Sequence, residues 1–197
     1  MSPRANSETK RKIVNAAWKL FYEHGYDATT IEEIIDESST SRGSFYHYFD
    51  GKDALLGSLA YLFDEKYDKL SASVSASSGA FEALLYLNGE LFSMIETSVD
   101  FELLTRLYST QLTTKGEKHL LDRNRTYYKL LRKIVSAGQE SGELTKSMTV
   151  NEIVNYYAMC ERALIYDWCL SGADYSLSSN SARLLPMMLS GIKAQKL

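Results

Sequence analysis

Between Thr29 and Lys52 the chain reads TTIEEIIDESSTSRGSFYHYFDGK, and few folds accommodate that stretch. Ile31, Ile34 and Ile35, with Ser38 one turn on, recur at the spacing of one helical face. Thr29-x-x-Glu32 and Thr30-x-x-Glu33 each fit a capping box, in which a hydroxyl accepts a free backbone N–H and a glutamate reaches back. Ser38, Ser39, Thr40 and Ser41 follow, and their hydroxyls offer the backbone rival hydrogen bonds that favour a turn. Thr40 or Ser41 can cap a second helix. There Phe45 and Phe49 lie four apart and face a core, which leaves Arg42, Ser44, Tyr46 and His47 pointing outward. Asp50 is placed to cap a further helix, with Lys52 in its first turn. Two helices across a tight turn make a helix-turn-helix, a unit whose second helix can enter the major groove of DNA.

The outward residue types suit that use. Arg42 can give two parallel hydrogen bonds to a guanine edge. Ser44 and His47 can reach bases or phosphates, and Tyr46 and Lys52 can pair with phosphate oxygens. Gly43 has no side chain and allows close approach. Thr29, Thr30 and Ser41, at the helix starts, complete the candidate surface together with Arg4 and Lys10 of a basic amino-terminal arm. A plain helical hairpin with an aromatic core would share much of this pattern. The whole string is more specific. SRGSFYHYFDGKDALL, preceded by TTIEEI, resembles the DNA-binding domain of the tetracycline-repressor (TetR) family of bacterial transcription regulators, from roughly Lys10 to Leu62. Two features depart from that family's pattern. Ser38-Ser39-Thr40 stands where Ala-Gly-Val is usual, and Ile35 replaces a common alanine. Losing the turn glycine removes the residue best suited to positive φ, so the tilt of the second helix becomes a question for the structure.

The 197 residues suffice for one large or two small domains. Two prolines and the lack of strand-like alternation indicate an all-α chain. No apolar run approaches the ~20 residues that span a bilayer, and the start of the chain is polar and basic, so a cytoplasmic protein is expected, with no membrane partner. A net charge of −3 argues against indiscriminate nucleic-acid binding, while a sequence reader needs only a local basic patch. Arg4, Lys10, Arg11 and Lys12 against Glu8 supply part of one, although a solvated tail would look the same. Cys160 and Cys169 are separated by about 13 Å of helical rise, too far for a bridge, and read as buried thiols. His24, His47 and His119 show no metal-ligand spacing. No nucleophile elbow, phosphate-cradling glycine loop or metal pair is present, so neither an enzyme nor a cofactor is expected.

Along the chain, a first helix is expected from Ser7 or Glu8 to His24, with Ile13, Ala16, Ala17, Leu20 and Phe21 as its core stripe and Gly25 as its carboxy-terminal cap. A fourth, Gly51 to Ser71, carries Leu55, Leu56, Leu59, Leu62, Phe63 and Tyr67 and outruns the small bundle before it. The small-residue stretch Ser71–Gly79 is the natural boundary. Residues 1–50 then form the helix-turn-helix domain, 51–71 connect, and 72–197 form a second helical domain, about nine helices in all. Five further helices are placed at Ala80–Thr97, Phe101–Leu112, Lys118–Ser141, Val150–Leu170 and Ser178–Ala194, with a capping box at Thr149-x-x-Glu152 and a bend at Pro186.

The resemblance implies that the second domain binds an effector and dimerises, the last two helices packing against their copies. Tyr156, Cys160, Leu164, Trp168, Leu184, Leu185, Met188, Leu189 and Ile192 are the interface expected on that basis. The middle helices are rich in aromatics, whose apolar bodies and polar handles suit a ligand site. Phe63, Phe92, Leu104, Tyr108, Tyr127, Tyr128, Leu131, Tyr157 and Glu161 are the candidate lining, with core packing the plain alternative for each. The expected protein is a ligand-responsive regulator, a repressor by expectation. It binds a palindromic double-stranded operator as a homodimer and answers to an unidentified small molecule. The rival is a helical ligand- or protein-binding module without DNA-binding activity.

Overall fold

The structure, a computed structural model, describes residues 3–74, 79–113 and 118–194, with side chains from Glu8 onward except at 59–62, 65 and 72–74. The described residues form ten α-helices and two short 3-10 turns, with no strand beyond one isolated bridge between Leu144 and Lys193. The helices are α1 (Pro3–His24), α2 (Ile31–Glu37), α3 (Arg42–Tyr48), α4 (Lys52–Leu56), α5 (Leu59–Val74), α6 (Ala80–Ser98), α7 (Phe101–Thr113), α8 (Thr126–Glu140), α9 (Val150–Leu170) and α10 (Leu177–Met188). The 3-10 turns are His119–Leu121 and Ser190–Ile192. The chain divides into two compact units, Met1–Tyr61 with Asp100–Leu120, and Leu62–Val99 with Leu121–Leu197.

In the first unit α1 packs on α2 and α3, α2 on α3, and α4 on α7. Ile13, Ala17, Phe21, Ile34, Phe45, Leu55, Leu56, Leu104 and Leu107 are buried there. Gly25 closes α1 at φ 84°, where glycine carries no Cβ penalty. The expected single helix from Gly51 to Ser71 is instead two, broken at Gly57 and Ser58. A Cβ at Gly57 would lie 2.0 Å from the His119 imidazole, so the ring occupies the space a side chain would need. Ser58 Oγ accepts the Trp18 indole N–H at 2.7 Å and donates to Leu55 O at 2.5 Å. Asp50 does not cap α4; Gly51 is the N-cap, without a side-chain bond. Helix α7 belongs to this unit, whereas the sequence boundary put it with the second domain. Burial of Leu103, Leu104 and Leu107 and packing on α4 account for that, and Arg106 adds a surface tie. It pairs with Asp27 of the turn after α1, and its guanidinium stands 5.3 Å from the centre of the Tyr26 ring.

In the second unit α6 packs on α8 and α10, α8 on α9, and α9 on α10. Two glutamates fasten helix starts. Glu143 accepts the Ala80 and Phe81 N–H groups at 2.5 and 3.0 Å, and Glu96 accepts the Ser178 N–H at 3.1 Å, each a carboxylate at the positive end of a helix. At Gly138 an added Cβ would stand 2.5 Å from the Ala80 Cβ, so the α6–α8 approach requires glycine there. Asp64 of α5 and Arg125 meet through two bonds of 3.0 and 3.1 Å in a buried pair, and Asp64 also accepts the Tyr127 N–H at 3.2 Å. Helix α10 contains Pro186 and ends at Met188, short of the expected Ala194. Cys160 is buried and Cys169 only half-buried.

Candidate functional site

Helix α3 is held by its own sequence. Ser41 is its N-cap, its hydroxyl accepting the Ser44 N–H at 3.0 Å and lying 2.9 Å from the Ser44 hydroxyl. Phe45 is fully buried and Phe49 nearly so, with ring centres 5.9 Å apart, and they fix which face turns inward. Arg42, Gly43, Tyr46 and His47 are left exposed, Ser44 half-buried. A Cβ at Gly43 would meet only the Ser41 hydroxyl, at 3.9 Å, so nothing in the chain demands glycine there. The turn before α3 keeps its left-handed residue without the glycine. Ser39 takes φ 51°, while Ser38 and Thr40 pair through their hydroxyls at 2.8 Å.

Other candidates lie elsewhere than expected. Thr29 is buried, and its hydroxyl donates to Leu20 O at 3.2 Å and Gly25 O at 2.8 Å, so it ties the turn after α1 and offers nothing to a ligand surface. Thr30 is exposed and forms the one capping box at α2: its hydroxyl accepts the Glu33 N–H, and Glu33 accepts the Thr30 N–H at 2.7 Å. Glu32 turns away from Thr29 and forms an ion pair with Arg42. Lys52 is also turned inward. Its ammonium donates to Tyr26 O at 2.5 Å, Thr29 O at 2.8 Å and Asp27 O at 3.4 Å, and stands 4.3 Å from the centre of the Tyr26 ring. Three donors on three carbonyls make it a clamp for the α1–α2 turn, in place of the expected phosphate contact. The Lys10 ammonium stands 5.9 Å from the Phe49 ring centre. The Arg4 side chain lies outside the described residues.

The expected effector residues are divided. Leu104 and Tyr108 are in the first unit. Phe63, Phe92, Tyr127, Tyr128, Leu131, Tyr157 and Glu161 are all buried in the second. At the centre of the latter group, Glu161 accepts the Tyr127 hydroxyl at 2.6 Å and the Asn88 amide at 2.9 Å. The Tyr157 hydroxyl lies 2.9 Å from Glu161 and 2.8 Å from Leu84 O. One hydroxyl proton serves one acceptor, and a carbonyl only accepts. All these contacts are satisfied together when Glu161 is a neutral acid and supplies a proton of its own. Burial raises the Glu161 carboxyl above its ordinary value despite the donors of Tyr127, Asn88 and Tyr157, and pushes the Tyr127 and Tyr157 hydroxyls well above theirs. A separate cavity of 410 Å³ in this unit is lined by Ala80, Ala83, Leu130, Ile134, Ala137 and Glu143 among others, and by none of the expected set.

The expected dimer residues also divide. Cys160, Leu164, Trp168, Leu185, Leu189 and Ile192 are buried within the single chain and are core, because their faces already pack on their own subunit. Tyr156 is half-buried, its hydroxyl on Met188 O at 2.5 Å. Leu184 and Met188 are half-buried. The exposed apolar residues are others: Met159, Tyr166 and Leu170 on α9, and Met187 on α10. Among the described residues no group of histidine, cysteine and carboxylate side chains could hold a metal ion, and no helix is long and apolar enough to cross a membrane.

An exposed short helix, set by a tight turn on a small three-helix head, is the arrangement of a helix-turn-helix domain. Residues 13–59 match the profile described as "Bacterial regulatory proteins, tetR family", so this segment is similar to the amino-terminal domain of that family. The likeness extends over most of the chain. The fatty acid metabolism regulator protein of Bacillus subtilis (strain 168) is 23% identical over 185 residues, 92% of this chain and 94% of that protein. The HTH-type transcriptional repressor KstR2 of Rhodococcus jostii (strain RHA1) is 24% identical over 193 residues, 94% and 92% of the two chains. Among solved structures, the transcriptional regulator FadR from Bacillus subtilis in complex with stearoyl-CoA shares the fold with TM-score 0.69 and 21% identity, covering 93% of this chain and 99% of that one.

Proposed function

We propose that this protein is a ligand-responsive transcriptional repressor that binds a palindromic operator as a homodimer. The observation that carries the DNA-binding part is the face of α3. Its two phenylalanines are buried while Arg42, Gly43, Tyr46 and His47 are exposed, and the domain matches the TetR-family profile over 13–59. In this reading Arg42 addresses a guanine edge, and Tyr46, His47 and the hydroxyls at the starts of α2 and α3 address bases and phosphates. Two-fold symmetry puts the half-sites about one turn, ~34 Å, apart.

Two kinds of support favour effector control. The full-length relatives include a fatty acid metabolism regulator and a repressor, and the matched FadR structure holds stearoyl-CoA. The two units are joined by three chain crossings, at 61–62 inside α5, at 99–100 and at 120–121, so α5 and α7 are the segments through which ligand state must be communicated. A ligand does this only by binding one arrangement better than the other. A long-chain acyl thioester is the effector class to test first. Its tail would have to leave the Glu161 network intact, since a bare alkyl chain cannot satisfy Asn88 and Tyr127.

The test is selection of duplexes from a random library, followed by titration of the winner and a scrambled duplex at two salt concentrations. Arg42→Ala is expected to cost about 1–3 kcal/mol on the winner and little on the scramble. Equal loss on both would remove Arg42 from its assigned role. Stearoyl-CoA added to the wild-type complex is expected to release the duplex; unchanged affinity would discard that effector class while leaving the DNA reading intact.

A further inference from the structure

Glu32 is an acid on the surface that should meet a polyanion, and it is not used as a cap. It is the second residue of α2, exposed, and its carboxylate Oε1 holds Nη2 of Arg42, the first residue of α3. Both side chains are reachable from outside, 60% exposed at Glu32 and 65% at Arg42. An ion pair so exposed contributes little to folding. The two short helices are already fixed by the Thr30 and Ser41 caps and by the burial of Ile34 and Phe45. Beyond the modest help any acid gives in a first helical turn, the pair with Arg42 is spare for stability.

We propose that Glu32 is a positioning residue that makes Arg42 a reader of bases and a poor binder of phosphates. The inference rests on the DNA-binding reading above. An unpaired arginine on a DNA-facing helix adds to non-specific affinity through phosphate neutralisation and counterion release. With Glu32 against it, the pair has no net charge, and a phosphate that takes the guanidinium must displace a carboxylate and then lie beside it. A guanine edge makes no such demand. The guanidinium has five N–H donors in a fixed plane; one faces Glu32, and enough remain for the two parallel bonds to guanine O6 and N7. Guanine is uncharged and does not repel the acid, and the carboxylate holds the plane of the fork. Glu32 thus leaves the specific complex nearly untouched and weakens all others. That fits a chain of net charge −3 whose specificity must come from geometry more than from bulk attraction.

The experiment compares wild type, Glu32→Gln, Arg42→Ala and the double variant, each on a duplex selected by the wild-type protein and on a scrambled duplex of equal length, across a series of salt concentrations. Thermal melts of the four proteins are run alongside. Glu32→Gln is expected to melt as wild type and to bind the scramble about 3–10-fold more tightly, with the log–log salt slope steeper by about one per subunit for the added phosphate contact. Affinity for the selected duplex should change less than that, so the ratio between the two duplexes falls. In the Arg42→Ala background the same change should do much less. A full-sized effect there would show bulk charge at work and overturn the pairing role, as would a Glu32→Gln protein that discriminates as well as wild type. If the wild type itself enriches no duplex, the DNA-binding function fails, and this inference fails with it.

Discussion

Gly43 is poorly suited to the helix that carries it. Glycine lies about 1 kcal/mol below alanine in helix propensity, and the exposed Gly43 leaves room for a Cβ whose nearest contact is an ordinary 3.9 Å. Its use must lie outside the chain, at the surface α3 presents. Gly43→Ala is therefore expected to raise stability by up to about 1 kcal/mol in denaturant melts and at the same time to weaken binding to a selected duplex. A protein less stable and equally tight would sink that reading. Ser39 makes the complementary case. Its φ of 51° puts a side chain where a left-handed backbone costs about 1–2 kcal/mol. Ser39→Gly should stabilise by about 0.5–1 kcal/mol, the smaller figure reflecting the freedom glycine regains on unfolding. Duplex affinity should hold, because the turn already has the shape a glycine would give it. A shift in base preference would mean instead that serine had altered the tilt of α3. The sequence made the outward set of α3 readable because two phenylalanines four apart set the rotation of a short helix. It did not reveal that Thr29 and Lys52 face inward, since what draws them there are backbone carbonyls of the turn after α1, exposed only once that turn is folded.

Helix α9, whose limits are written locally, was placed correctly from sequence alone. The Thr149–Glu152 capping box starts α9 at Val150 and Ser171 ends it, as the apolar run from Val150 to Leu170 implied. The break at Gly57 and Ser58 was not legible, because their partners, the His119 imidazole and the Trp18 indole, are distant in sequence. Nor was the membership of α7, which follows from its buried leucines, Leu103, Leu104 and Leu107, packing on α4. The buried network of α6, α8 and α9 gives a prediction at this scale. Burial holds the Glu161 carboxyl above its ordinary value of 4.5, so as pH rises the fold keeps a proton that the unfolded chain has already released. The stabilisation from Glu161 is then complete below the ordinary carboxylate value and declines as pH rises through the raised one. Glu161→Gln keeps a neutral side chain of the same size. Its Tm should lose that part of the pH dependence and exceed the wild-type Tm on the alkaline side. Parallel curves for the two proteins across pH 4–8 would show that Glu161 is already ionised in the folded state.

At the scale of the whole molecule, the question is what covers α9 and α10. Residues 159, 163, 166 and 170 follow the three- and four-residue steps of one helical stripe, and the structure leaves Met159, Ala163, Tyr166 and Leu170 exposed along it. Met187 on α10 is 68% exposed, close to the 69% of Leu170. A stripe of large apolar side chains on a helix whose other faces are buried has a cost in water, and a second copy is a self-complementary way to remove it. We expect a homodimer built on this stripe, and not on the Cys160, Leu164 and Trp168 row that faces the chain's own core. Leu170→Glu with Met187→Glu puts like charges across any two-fold contact at these positions. Sedimentation should then give monomers whose far-UV spectrum and Tm barely change, because neither side chain supports its own subunit. Linking two heads turns the second half-site contact into an intramolecular one, worth as much as 10²–10⁴ in overall affinity. The double variant should lose a factor of that order on a selected palindrome and almost nothing on an isolated half-site. A wild-type monomer in solution, or a variant that stays dimeric, would remove this stripe from the assembly and leave each reading head to bind alone.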